Sequence, residues 1–445
     1  MPKREQPRLF DIPIERSAHK DKSEWGTFRD SLRAPIHGWF TYPAGFSQKA
    51  VEHFIKSNGL KPGVSVLLDP FMGSGTTNIA AKLLGIDSLG VEAHPFVFAI
   101  TETKLDWGVD EKKVQNIAKG FTKFSVLPSS ALIKKSNDKK FPELINKCFM
   151  PNSLYILGQI RDYLSETKMP LNVRRFLQTA LICALRDISI AATGWPYIAP
   201  KKIKITSMSK DPIFTLQNRV GMMLDDVNWA LKNKHKRNSV HNCVLGDSRK
   251  LDFKDNSATH IFTSPPYLNN FDYADRTRLE MYFMGEANTW GDISTKIRTK
   301  LMTSATTQIS RTNPRYELNP KFLKIDPDLN DFLVRSIDSL AALRMTKGGK
   351  KSYDLMVAGY FNDMLEIVTE CQRVLQTGGK ASLVLGDSAP YGIHIPTDEL
   401  IGRIAVGVGF KKYQIEQLRV RGEKWANNPQ RHGVGLRESI VHLVN

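Results

Sequence analysis

Val64-Ser65-Val66-Leu67-Leu68-Asp69-Pro70-Phe71-Met72-Gly73-Ser74-Gly75-Thr76-Thr77 is the stretch on which the fold turns. A short apolar run stopped by Asp-Pro predicts a buried strand with Asp69 at its tip. Glycines at 73 and 75 let the backbone approach a ligand closely, and the helix predicted over 78–84 presents free N–H groups to an anion. A Walker-type phosphate loop requires Lys and then Ser or Thr after the second glycine. Here Gly75 is followed by Thr76 and Thr77, so nothing points to ATP. The carboxylate of an amino-acid-like cofactor suits the turn, and S-adenosylmethionine carries one. Strand, glycine turn and helix together open a nucleotide-binding α/β unit.

The next strand, over 87–93, ends with Glu92 about twenty residues past the glycine turn, where such folds place an acid to accept from ribose hydroxyls. Asn242-Cys243-Val244-Leu245-Gly246-Asp247 reads as another strand. Its terminal Asp247 either accepts from the adenine amino group of the same cofactor or caps a following helix. Ala258-Thr259-His260-Ile261-Phe262 is a further strand, and the two prolines of Thr263-Ser264-Pro265-Pro266-Tyr267 forbid its continuation. Those five residues therefore form a loop at a strand's carboxyl end, the edge where open α/β sheets bind ligands. Their chemistry suits a base amino group, a poor nucleophile whose lone pair is delocalised into the ring. Ser264 Oγ and the Pro265 carbonyl supply acceptors for its hydrogens, and Tyr267 offers a flat face to replace the stacking an extruded base loses. A Pro-Pro turn with a surface tyrosine is the plain alternative.

DPFMGSGTT (69–77), GVEA (90–93), LGDS (245–248) and TSPPY (263–267), in that order, resemble the cofactor and catalytic motifs of the amino-methylating DNA methyltransferases, the N4-cytosine and N6-adenine group. WFTYPAGFS (39–47) is similar to the motif these enzymes place over the cofactor's methionine end, although a His-Pro-Ala-type core is commoner there. The resemblance implies the S-adenosylmethionine-dependent methyltransferase fold, a Rossmann-like mixed seven-stranded sheet flanked by helices. It implies cofactor contacts from Tyr42, Pro43, Phe46, Asp69, Phe71, Gly73, Ser74, Gly75, Thr76, Thr77, Glu92 and Asp247, with Ser264, Pro265, Pro266 and Tyr267 holding the target base. Double-stranded DNA is the implied substrate and a cognate restriction endonuclease an implied partner; oligomeric state stays open. In the resembled family Ser at the head of the loop mostly accompanies N4-cytosine and Asp or Asn adenine, so cytosine is favoured and adenine stays open. The cofactor half precedes the catalytic half, whereas many SPPY enzymes have the reverse order. An RNA base methyltransferase and an inactive DNA-binding relative are the other readings, and the intact glycines and TSPPY speak against the second.

The resemblance covers 35–104, 241–284 and 355–445, which divides the 445 residues into parts. Residues 1–33 form an N-terminal extension. The catalytic domain comprises 34–104, 241–285 and 353–445. Residues 105–240 are a helical insertion and candidate target-recognition region, and 286–352 are a Thr/Ser-rich, weakly periodic insertion expected to contact DNA. In the first insertion Ile213, Leu216, Val220, Met223, Leu224, Val227 and Leu231 share one helical stripe and read as core. A second helix, over 173–191, turns Phe176, Leu177, Ala180, Leu181, Ala184 and Leu185 inward. Trp195 and Tyr197 beside Lys201, Lys202 and Lys204, the run 232–237, and the loop 421–437 with Lys424, Arg431 and His432 are candidate substrate contacts. A helix over 356–375, a Gly378-Gly379 turn, a strand over 381–385 and a closing antiparallel pair over 411–420 and 439–445 complete the sheet.

A formal net charge of +18 suits a phosphate-rich partner, with a solvated basic surface as the bland alternative. Four scattered cysteines without a Cys-x-x-Cys pair suggest neither a zinc site nor a disulfide framework, and none follows a proline as the nucleophile of carbon methylation does. No metal is expected. The charged N-terminus is no secretory signal and no run nears the roughly eighteen apolar residues of a membrane span. The expected compartment is the cytoplasm.

Overall fold

The structure, a computed structural model, describes residues 14–16, 22, 24–42, 45–192, 198–232, 238–269, 272–347, 350–421 and 435–445. Its main sheet contains β1 (Ile14–Arg16), β2 (Val66–Asp69), β3 (Asp87–Glu92), β4 (His241–Leu245), β5 (Ala258–Thr263), β6 (Leu375–Gly386), β7 (Lys412–Arg421) and β8 (Leu436–Val444). The order across it is β1-β7-β8-β6-β5-β2-β3-β4. Strands β2 to β8 are the mixed seven-stranded sheet expected, with β8 antiparallel to both neighbours, and β1 adds a short parallel strand at one edge. Gly378 and Gly379 do not form a separate turn. Gly378, at φ +78°, sits inside β6 beside a register shift against β5, so the glycines act as a bulge.

Helices flank both faces: α1 (Gln48–Ser57), α2 (Thr76–Leu84), α3 (Pro95–Leu105), α4 (Leu171–Ile188), α5 (Pro212–Lys232), α6 (Pro327–Thr346) and α7 (Tyr353–Val374) bear most directly on the site. The period-two alternation of strands sorts the side chains between the faces. Leu68, Ile261, Leu383 and Leu385 join a core with Val357, Tyr360 and Met364 of α7. Leu67, Phe262 and Val384 join another with Val51, Phe54 and Ala80 of α1 and α2. Strands covered on both faces read as continuous apolar runs, which is why β2 and β5 are recognisable in sequence.

The chain leaves β2 toward β3 and β4 on one side, then returns to lay β5 on the other. This places a topological switch point between the tips of β2 and β5, the crevice where open α/β sheets bind ligands. Both insertions pack into the body. The α5 stripe is buried except for half-buried Leu231, and it shares one core with Trp39, Phe96 and Ile100. Asp226 of α5 accepts from Ile36 N at 2.9 Å and Trp39 Nε1 at 2.7 Å. The 286–352 segment, read as weakly periodic, contains the long helix α6, which buries Leu329, Leu333, Ser336 and Leu340. No helix among the described residues is long and apolar enough to cross a membrane.

Candidate active site

The glycine turn is shaped by its backbone and held from behind by α3. Gly73 and Gly75 take φ +51° and +87°, the left-handed region that favours glycine. A Cβ on Gly75 would lie 2.7 Å from Thr101 Cγ2, so no side chain fits there. Thr101 Oγ1 donates to Gly73 O at 2.7 Å, and the wholly buried Lys104 donates to Ser74 O at 3.2 Å and His37 O at 3.1 Å. Burial brings the Lys104 ammonium down to about 7. With its carbonyls tied back, the turn runs into α2, which begins at Thr76 rather than 78 and has no side-chain cap at Gly75. Its first N–H groups are thus left for an anion.

Carboxylates stand at successive strand tips. Asp69 Oδ1 accepts from Phe71 N at 2.9 Å and from Thr263 Oγ1 at 2.6 Å, which ties the end of β2 to the first residue of the TSPPY loop. Burial lifts Asp69 to about 6, against those hydrogen bonds. Glu92 Oε2 accepts from Gly73 N at 2.9 Å and Oε1 from His94 N at 2.8 Å; burial raises this carboxyl to about 7. Asp247 caps a turn instead of a helix. Its Oδ1 accepts from Arg249 N and Nε, both at 2.9 Å, and its Oδ2 from Arg249 Nη2 at 2.6 Å.

The 263–267 loop presents Ser264 and Pro266 to a cleft that holds about 840 Å³ of empty space, open solvent included. Ser264 Oγ donates to Val384 O at 3.2 Å, so its proton is engaged and its lone pairs remain for a ligand. The walls include Tyr42, Phe46, Phe71, Gly73, Ser74, Thr76, Glu92 and Asp247. Asp69, Gly75, Thr77 and Pro265 stand outside that lining; Thr77 Oγ1 donates to Phe262 O at 3.2 Å. Pro43 lies outside the described residues, as do Trp195, Tyr197, Lys424, Arg431, His432 and 233–237.

Tyr267 does not line the cleft. Its ring is 8% exposed, with the Arg421 guanidinium 5.2 Å from the ring centroid, and its hydroxyl donates to Glu438 Oε1 at 3.1 Å. A Cβ on Gly386 would meet Tyr267 Cδ2 at 2.7 Å, so a glycine far downstream makes room for the ring. The aromatic residue beside the cleft that sequence reasoning missed is Tyr273, 6.1 Å from the Tyr42 ring. Ser248, which the sequence offers only as the last residue of a motif, lines the cleft, and its hydroxyl bonds to Pro70 O. Lys300, Leu301 and Met302 complete a wall for which the sequence carries no motif.

Several basic residues of the two insertions meet protein partners. In the second insertion Arg298 Nε donates to Asp272 Oδ2 at 2.6 Å, Arg315 Nη2 to Asp363 Oδ2 at 2.7 Å and Arg311 Nη2 to Asp354 Oδ2 at 3.4 Å. Lys204 turns inward to Arg186 O at 2.9 Å and Lys140 to Asp162 Oδ2 at 2.7 Å. Lys134, Lys135, Lys139, Lys201 and Lys202 remain exposed on the first insertion.

Residues 3–103 match a family model described as a DNA methylase of the N6/N4 type. The chain is similar to the Type II methyltransferase M.BsoBI of Geobacillus stearothermophilus, 24% identical over 98% of this chain and 92% of that protein. It is also similar to M.AvaI of Nostoc sp., 24% identical over 94% and 87% of the two chains, and to M.MvaI of Kocuria varians, 22% identical over 88% and 85%.

Proposed function

We propose that this chain, for which the family-model match and the Type II relatives support an amino-methyltransferase family, is a site-specific DNA methyltransferase. It transfers a methyl group from S-adenosylmethionine to the exocyclic amino group of a flipped base, N4 of cytosine in preference to N6 of adenine. The observation that carries this reading is the Asp69–Thr263 bond at the switch point, which joins the cofactor strand to the head of the TSPPY loop. Gly73, Glu92, Asp247 and Ser264 thereby share one cleft.

The residues fit the cofactor. The uncapped start of α2 suits an amino-acid carboxylate, Glu92 suits ribose hydroxyls, and Asp247 retains acceptor capacity for an adenine amino group. When bound, S-adenosylmethionine supplies an electrophilic methyl group on a sulfonium. The protein's contribution is positioning. Ser264 Oγ, its proton committed to Val384 O, and the Pro265 carbonyl accept from the base amino group and draw its nitrogen toward a tetrahedral, more nucleophilic form. Neither acceptor is a strong base, and none is needed, because a methylated amino nitrogen is acidic and sheds its proton afterwards. For the base to stack on Tyr267, Arg421 has to leave that ring. Methylation of a short duplex sequence would protect it from a cognate restriction endonuclease, the partner this reading carries.

Transfer of labelled methyl from S-adenosylmethionine is measured on duplex DNA and on RNA, followed by nucleoside analysis. N4-methylcytosine in DNA is the expected product. N6-methyladenine alone would overturn the choice of base, labelled RNA alone the choice of substrate, and no transfer to either the enzymatic reading.

A further inference from the structure

We infer that the 286–352 insertion is a wall of the adenosine end of the cofactor cleft, and that Asp363 is the positioning residue that locks it to Asp247. The inference rests on the S-adenosylmethionine reading of that cleft. Gly359, Asp363 and Ile367 fall four positions apart along α7, with Asn362 three positions after Gly359, and so share one helical face. Ile367 lines the cleft, and the other three seat the insertion. A Cβ on Gly359 would lie 2.6 Å from Tyr316 Cδ1 and 3.1 Å from Thr303 Cγ2, so the missing side chain is what allows the insertion to lie this close. Asn362 accepts from Asn319 N at 2.9 Å and donates to Arg315 O at 3.0 Å.

Asp363, 3% exposed, is the hub. Its Oδ2 accepts from Thr303 N and Arg315 Nη2, both at 2.7 Å, and its Oδ1 from Arg249 Nη1 at 3.1 Å. Arg249 in turn grips Asp247. One buried carboxylate therefore fixes two things: the segment 300–302 that walls the cleft, and the guanidinium that orients the proposed adenine acceptor. Neutralising it leaves two guanidinium groups without their shared anion, and Arg249 loses the anchor that aims Asp247. The same hub explains why Arg315 turns inward rather than toward a nucleic acid.

The full chain and its Asp363→Asn variant are titrated calorimetrically with S-adenosylhomocysteine and with S-inosylhomocysteine, which lacks the adenine amino group. The native chain is expected to prefer the adenosyl compound by about tenfold or more, the effect of one hydrogen bond to a charged acceptor. In Asp363→Asn that preference shrinks to roughly threefold or less, and Asp363→Glu, which keeps the charge, regains part of it. An equal loss for both compounds with the preference intact overturns the inference, because loosened structure alone does that. Met302→Ala tests the wall without touching the hub: affinity for both compounds falls about threefold with the preference kept, and no change overturns the wall. If the native chain binds neither compound, the cofactor reading itself fails, an outcome distinct from native binding that the variants leave unaltered.

Discussion

At the scale of single residues, the site separates groups that meet the ligand from groups that aim them. On the proposed reading Ser264 belongs to the first kind, since its hydroxyl bonds to Val384 O and the residue lines the cleft. Ser264→Ala is expected to lower turnover by about a hundredfold, the cost of one positioned partner in a transition state, while the S-adenosylmethionine Kd stays near native. A variant that no longer binds the cofactor would contradict this role. Glu92 carries a pH signature. Burial raises its pKa from 4.5 to about 7, so the neutral form is favoured by the fold. The stability it contributes is fully present below 4.5 and is lost as the pH climbs through about 7. In Glu92→Gln nothing titrates at this position. Thermal melts of both proteins from about pH 5 to pH 8 should show the native chain losing ground to the variant over that window. A constant difference across it would contradict the assignment.

At the scale of elements, the turn between β2 and α2 combines two demands that only glycine meets at position 75, a φ of +87° and the close approach of Thr101. Gly75→Ala should destabilise the chain by about 1–3 kcal/mol in urea unfolding and weaken cofactor binding as well. Unchanged stability would mean that α3 yields readily. Strand ends are legible because an apolar run that stops at a lone acid is a local pattern, and Asp69, Glu92 and Asp247 all follow it. The role expected of Tyr267 is harder to place, because its burial is set by Gly386, Arg421 and Glu438, residues far away in the chain. The contribution of 300–302 has no local signal at all. It follows from a face of α7 whose Gly359, Asn362 and Asp363 look ordinary as a string.

At the scale of the molecule, a net charge of +18 sets an expectation of steep salt dependence for binding to DNA. Arg298, Arg311, Arg315, Lys140 and Lys204 have protein partners, which leaves the exposed lysines of the helical insertion as the better phosphate contacts. Lys201 and Lys202 project from the short ribbon strand Ala199–Ile203. Replacing both with Ala should weaken DNA binding and reduce the slope of log K against log salt by roughly two, or about 0.9 for each phosphate that is no longer neutralised. Fluorescence anisotropy at several salt concentrations reads that slope. An unaltered slope would move the DNA interface elsewhere on the molecule.

By itself the sequence determined the seven strands of the mixed sheet, the turns after β2 and β5 and which polar residues stand at the strand tips. Those properties depend on neighbours in the chain: alternating apolar positions, prolines that end a ladder and glycines that permit a left-handed turn. Tertiary structure alone decided that Arg421 covers Tyr267 and that both insertions share the body's packing. It also decided that a carboxylate on α7 holds Arg249, the residue that orients Asp247. Such pairings join residues distant in the chain, and what settles them is which buried charges find partners once the sheet and its helices have closed.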